Sequence, residues 1–241
     1  RQRQMCIRDR REISAKSGVN IIATTGFHKS EFYDKSHFLW KYDTEQLVEL
    51  LVADVCDGID IYDYAGPIVK RSEGRAGVIK AACSLQSITT VEKKELRAAA
   101  IASNITGAPV SLHLEKGTMA LEAIDILLEN GAKPNNIILG HIDRNPDYYY
   151  HEQIAKRGVF LIYDGAARVK YYTDEVIARL IEHMVEAGFE DQLLMGADLG
   201  GKSYFRSYEG GPGLGYNLGI FTPRLLASGI SQQTVDKMLI H

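Results

Sequence analysis

Pro109-Val110-Ser111-Leu112-His113 and Asn136-Ile137-Ile138-Leu139-Gly140-His141 are two short apolar runs that each stop on a histidine. Ala76-Gly77-Val78-Ile79-Lys80-Ala81 is a run of the same kind carrying a lysine, and Gln192-Leu193-Leu194-Met195-Gly196-Ala197-Asp198 ends on an aspartate. Runs this short, apolar at consecutive positions, read as strands buried on both faces. Each alternates with a longer amphipathic segment, which predicts an α/β fold whose parallel sheet is covered by helices.

Residues 19–26 read as a further strand ending in a glycine turn, and residues 158–163 as another. Helices are expected over 44–55, from 90 or 91 to 103, and over 117–129, 147–157 and 173–187, with two helical segments at the end and Ser231 as a cap. Thr44 reads as the cap of the first of these, and Leu47 at its third position excludes a capping box. An open doubly wound sheet and a closed (β/α)8 barrel of TIM type both fit. No G-x-G-x-x-G follows the first strand, which disfavours a dinucleotide fold, while a barrel needs eight strands and about six are visible.

The chain has 241 residues, 45% hydrophobic and 24% charged, with a formal net charge of -3. Interspersed charge argues against nucleic-acid partners and a polybasic membrane anchor, and no apolar run approaches the roughly 18 residues of a membrane span. Cys6, Cys56 and Cys83 are sparse and far apart, which fits a reducing, cytoplasmic setting, with Cys83 a packed residue. Residues 1–10 lack an apolar periodic face and resemble translated read-through of a sequencing adapter. They are read as non-native, the domain as 11–241, and the native chain as continuing upstream.

The polar residues narrow the choice. Lys80, His113, His141 and Asp198 each follow an apolar run, at or just beyond a carboxyl end. In parallel α/β folds that edge gathers side chains from different strands, and imidazole with carboxylate suits zinc, manganese or a similar ion. His28 and His37 are expected in the loop after the first strand, and His151 and His183 on helix surfaces.

Ala76-Gly77-Val78-Ile79-Lys80, Gly107-Ala108-Pro109-Val110-Ser111-Leu112-His113, Ile138-Leu139-Gly140-His141-Ile142-Asp143-Arg144 and Gly196-Ala197-Asp198 together resemble the phosphotriesterase family of the amidohydrolase superfamily, in order and with matching spacing. The resemblance implies a distorted (β/α)8 barrel with two divalent metals, zinc or manganese. It makes Lys80 a carbamate formed with carbon dioxide that bridges the metals, His113 and His141 ligands of the second, and Asp198 a ligand of the first. Asp198 would also shuttle the proton of a metal-bridging hydroxide. The family's His-x-His pair on its first strand is absent from this chain. Loss of the first two strands upstream is the expected reason, and the chain as written is then expected to hold the first metal weakly and to lack activity.

The stretch Gly200-Gly201-Lys202-Ser203-Tyr204-Phe205-Arg206-Ser207-Tyr208 resembles the branch that opens sugar lactones, phosphorylated ones included. There a lysine, an arginine and a tyrosine hold the substrate phosphate. Lys170 and Tyr204 match the lysine and the tyrosine, whereas Gly201 stands at the arginine position, leaving Lys202 or Arg206 to supply the charge. Arg144 would orient Asp198 or the substrate, or make a structural ion pair. A small-molecule substrate and a homodimer are expected. Two rivals remain open: a barrel aldolase with Lys80 as Schiff-base nucleophile, and an inactive binding module that lacks the first metal site.

Overall fold

The structure, a computed structural model, describes residues 2–240, with side chains from Asp9 onward. Arg1 and the side chains of residues 2–8, Cys6 among them, lie outside the described residues, so the reading of 1–10 as non-native is untouched by it. The chain forms two compact units: Arg1–Ser84 with Ile88–His113 and Glu122–Ile137, and Leu85–Ser87 with Leu114–Leu121 and Ile138–His241.

The first unit holds α1 (Gln2–Ser17), β1 (Thr24–Gly26), α2 (Thr44–Cys56), β2 (Val78–Cys83), α3 (Thr90–Thr106), β3 (Val110–Leu114) and α4 (Ala120–Glu129). Its strands follow chain order, β1-β2-β3. β1 runs parallel to β2 with Gly26 opposite Lys80, and the Ile79 amide donates to the Pro109 carbonyl at 2.9 Å. β1 is only three residues long, whereas 19–26 was expected. A strand persists only where its backbone groups find partners, and β2 offers them from Val78 on, after the Gly77 amide has bonded to the Ala23 carbonyl. Val19 and Ile22 are accordingly left 58% and 71% exposed.

α2 begins one residue earlier than a Thr44 cap would have it. Asp43 is the cap, and its carboxylate accepts the Gln46 amide at 2.9 Å while the Gln46 side chain accepts the Asp43 amide at 3.0 Å. That is a capping box, contrary to the expectation from Leu47, because the box is counted from Asp43. α3 has a second box between Thr89 and Glu92 and ends at Gly107 in the left-handed conformation (φ 77°). α2 packs on α3, burying Leu47, Leu50 and Leu51 of the one and Leu96 and Ala99 of the other. Each buried leucine contributes about 1.5–3 kcal/mol.

Polar groups are also buried in this unit. Asp54 on α2 accepts the Thr25 hydroxyl at 2.6 Å, the Tyr64 hydroxyl at 2.6 Å and the Arg71 guanidinium at 2.7 Å, tying the 57–75 loop to β1 and α2. Desolvation pushes the Asp54 carboxyl up despite those donors. Glu95 on α3 is 1% exposed, and neither carboxylate oxygen has a hydrogen-bond partner. Burial, then the neighbouring Glu92, pushes its pKa up to about 9, with Lys94 opposing. Cys83 is fully buried, and burial raises its thiol far above the ordinary range, whereas Cys56 is exposed. A thiol reagent is expected to label Cys56 in the folded protein and Cys83 only after unfolding, read by peptide mass mapping; equal labelling of both under native conditions would contradict the packing.

The second unit holds β4 (Ile137–Gly140), α5 (Tyr148–Ala155), β5 (Phe160–Tyr163), α6 (Asp174–Glu186), β6 (Leu193–Met195), α7 (Thr222–Ala227) and α8 (Gln232–Ile240). Its strands are parallel in chain order, with Leu139 opposite Leu161 and Leu161 opposite Leu193. Ser231 caps α8 as expected, accepting the Thr234 amide at 3.0 Å. His151 overturns the expectation of a surface position: it is fully buried on α5. Its Nε2 lies 3.1 Å from the Ile142 carbonyl and 2.8 Å from that of Asn145, and its Nδ1 lies 2.8 Å from the Tyr163 hydroxyl. Burial pulls its pKa down. The neutral ring therefore donates from Nε2 and accepts at Nδ1, which anchors the loop after His141.

Candidate metal centre

The expected ligands divide two and two between the units. In the first, Lys80 is the third of six residues in β2, half-buried and not at the strand end as expected, because β2 continues to Cys83. Gly26 explains how its backbone is approached: at φ 98° a Cβ there would overlap the Lys80 carbonyl, which instead accepts the Phe27 amide at 2.9 Å. His113 is buried in β3, its ring centroid 4.5 Å from that of His28. His28 accepts the Lys29 amide at Nδ1 (2.7 Å). His37 lines a cavity of about 800 Å³ bounded also by Phe27, Tyr33, Phe38, Asp54 and Tyr64.

In the second unit, His141 follows β4 directly in the left-handed conformation (φ 67°) and is buried. Gly117 admits this bend, since a Cβ there would lie 2.9 Å from the His141 carbonyl. Asp164, just past β5 and buried, receives the imidazole: His141 Nδ1 is 2.8 Å from Oδ2 and 2.9 Å from Oδ1, and the His141 amide donates to Oδ2 at 3.2 Å. With Nδ1 committed to a carboxylate, Nε2 is the nitrogen suited to a metal, the arrangement by which carboxylates orient metal-binding imidazoles.

Asp198 lies three residues past β6 (φ 41°), and its Oδ2 accepts Arg144 at 2.6 Å and, more closely still, Arg168. No hydrogen bond engages Oδ1 among the described residues. His141, Asp164 and Asp198 each offer a ligand atom, all within 4.8 Å of one another. This donor set of imidazole nitrogen and carboxylate oxygen fits a divalent cation. The grouping differs from the resemblance, which assigns His141 and Asp198 to different metals. Beside it, the Asp143 carboxyl is pushed up, first by burial and then by Asp164, against the amides of Asp164 and Gly165 and the charge of Arg144.

The expected phosphate contacts each have a local partner. Lys170 is exposed, its Nζ 4.8 Å from the Tyr171 ring, and Lys202 lies 5.4 Å from the Tyr208 ring. Arg206 donates to the Pro212 carbonyl at 3.1 Å, and Tyr204 Oη accepts Arg168 at 3.3 Å. Asp164 and Arg168 were not singled out in the sequence. Asp164 does follow the strand 158–163 in the same way that His141 and Asp198 follow theirs, a signal that could have found it.

Parallel strands in chain order, each followed by a helix, make about six units of a (β/α)8 barrel, with His141, Asp164 and Asp198 just past the carboxyl ends of theirs. The model of the phosphotriesterase family matches residues 4–241. The chain belongs to the phosphotriesterase family. It is 41% identical over 231 residues to a phospho-furanose lactonase of Mycoplasmopsis synoviae, covering 93% of this chain and 65% of the relative, so it spans just under two thirds of that relative's length. The crystal structure of an amidohydrolase from Mycoplasma synoviae superposes with a TM-score of 0.91 at 39% identity, covering 95% of this chain and 67% of the other. A lactonase from Listeria monocytogenes gives 0.88 at 33% identity, with 96% and 74% covered. No described helix is long and apolar enough to cross a membrane.

Proposed function

We propose that the protein is a metal-dependent hydrolase that opens a phosphorylated sugar lactone. The His141–Asp164–Asp198 cluster carries this reading, in a chain 41% identical to a phospho-furanose lactonase. Lys80 as a carbamate, His113, His141 and Asp198 would hold two divalent cations, zinc or manganese. Bound there, the cations would activate a water and polarise the attacked carbonyl.

The chain's own residues do the rest. Asp164 holds the His141 ring and its tautomer. Asp198, its Oδ2 held by two guanidiniums, would pass the proton to the departing alkoxide. Lys170 and Tyr204 would hold the phosphate, with Lys202 as a point charge or Arg206 as a fork. The same reading takes the protein as a cytoplasmic homodimer acting on a small molecule.

The test loads the parent protein, expressed from its complete reading frame, with zinc or manganese and offers it paired phosphorylated and unphosphorylated sugar lactones, with ring opening followed by acid release. Bound metal and preferential opening of the phosphorylated member are expected. A Lys80 adduct trapped by borohydride in a metal-free protein would replace this reading with the aldolase, and failure to bind metal or open either lactone would leave the binding module.

A further inference from the structure

We propose that Arg168, seconded by Arg144, is a positioning residue for Asp198, fixing both the backbone of that residue and the oxygen it can offer to a cation. The inference rests on the metal reading above.

Both guanidiniums are buried, with side chains 7% and 5% exposed, while that of Asp198 is 36% exposed. A buried guanidinium needs a fixed anionic partner, and both meet Oδ2 of Asp198, Arg144 lying also 3.8 Å from Asp164. Arg168 does more than pair. Its NH1 donates also to the main-chain carbonyl of Asp198 at 2.8 Å, and its NH2 donates to Tyr204 Oη at 3.3 Å. Asp198 has φ 41°, a left-handed conformation that L side chains adopt only rarely. The bond to its own carbonyl opposes relaxation of that bend, and the bond to its carboxylate sets the side-chain direction.

Tyr171 restrains the two guanidinium planes, with centroid distances of 4.3 Å to Arg144 and 5.3 Å to Arg168. One planar fork thus ties the loop after β5 to the side chain and backbone of Asp198 in the loop after β6. A lysine, with its three donors on one nitrogen, can replace the two bonds that NH1 makes to Asp198 but not the simultaneous NH2 bond to Tyr204. Oδ1 is thereby the oxygen left to a cation shared with His141.

The test measures zinc affinity of the 241-residue chain by competition with a chromophoric chelator, for the parent, Arg168→Ala, Arg168→Lys, Asp198→Asn and the Arg168→Ala/Asp198→Asn double variant. Arg168→Ala is expected to weaken zinc by about ten- to a hundredfold, in the range of other groups that orient a metal ligand, and Arg168→Lys by less. In the Asp198→Asn background the same change is expected to alter affinity less than about twofold, because its effect runs through Asp198. A general structural role would weaken both backgrounds equally and overturn the proposal. So would an Arg168→Ala variant that binds zinc as well as or better than the parent, which would make the guanidinium a mere counter-ion displaced by the metal. If zinc fails to bind the parent, the metal reading itself falls and this inference with it.

Discussion

Replacing His141 by alanine is expected to weaken zinc binding by more than about a hundredfold, and Asp164→Asn by about ten- to a hundredfold. His141 supplies the nitrogen donor among the three clustered residues, and its orientation is not its own: Asp164 receives both its ring Nδ1 and its main-chain amide. An asparagine in place of Asp164 keeps the shape but loses the charge that makes the imidazole a better ligand. His141→Ala also removes the ring donor to the buried Asp164 carboxylate, which keeps the residue-141 amide and the nearby Arg144. Chelator competition checks the affinities, and chemical denaturation of the metal-free variants separates the folding cost from the loss of a ligand. Asp164→Asn binding zinc as tightly as the parent would show that the carboxylate neither orients His141 nor ligates.

Glu95→Met is expected to stabilise the fold, and to do so increasingly as pH rises. The Glu95 carboxyl is held near 9 in the folded chain, well above its ordinary value of 4.5, mainly by desolvation. Below about pH 4.5 the folded and unfolded states both bind its proton and the residue costs nothing through ionisation. Between 4.5 and 9 the unfolded state releases the proton while the folded state keeps it, so stability falls with rising pH, by at most about 1.4 kcal/mol per unit. Near pH 7 this amounts to roughly 3 kcal/mol, and the loss levels off above about 9. This is opposite in sign to a carboxylate whose pKa is depressed by a salt bridge. Urea unfolding of parent and variant at a mildly acidic and a mildly alkaline pH tests it: the two stability profiles should diverge toward alkaline pH. Profiles that stay parallel would mean that Glu95 is ionised in the folded protein.

The residues in chain order carry the alternation of strand and helix, since burial on both faces of a strand and on one face of a helix leaves different periods in the sequence. Val110–Leu114, Ile137–Gly140 and Phe160–Tyr163 emerge where their apolar runs lie. The boundaries were less readable. β1 shrank to three residues because pairing, not hydrophobicity, ends a strand, and α2 took Asp43 as its cap because a cap is chosen by backbone conformation. His141 and Asp198 are legible as candidate ligands because each stands alone after an apolar run. Their partners were hidden, since whether a carboxylate or a guanidinium reaches another residue depends on distances across loops far apart in sequence. Hence Arg168, which is 30 residues from Asp198, and His151, buried on a short helix, could be found only in three dimensions.

The histidine-ended runs at 113 and 141 therefore determined the α/β class and two of the candidate ligands, because strand burial and ligand chemistry are properties of local sequence. Tertiary structure decided that His141 shares its cluster with Asp164 and Asp198, and that two buried arginines hold the Asp198 carboxylate by one of its oxygens. Those are matters of through-space geometry and of charge that must be paired once water is excluded, and neither is written in the order of the residues.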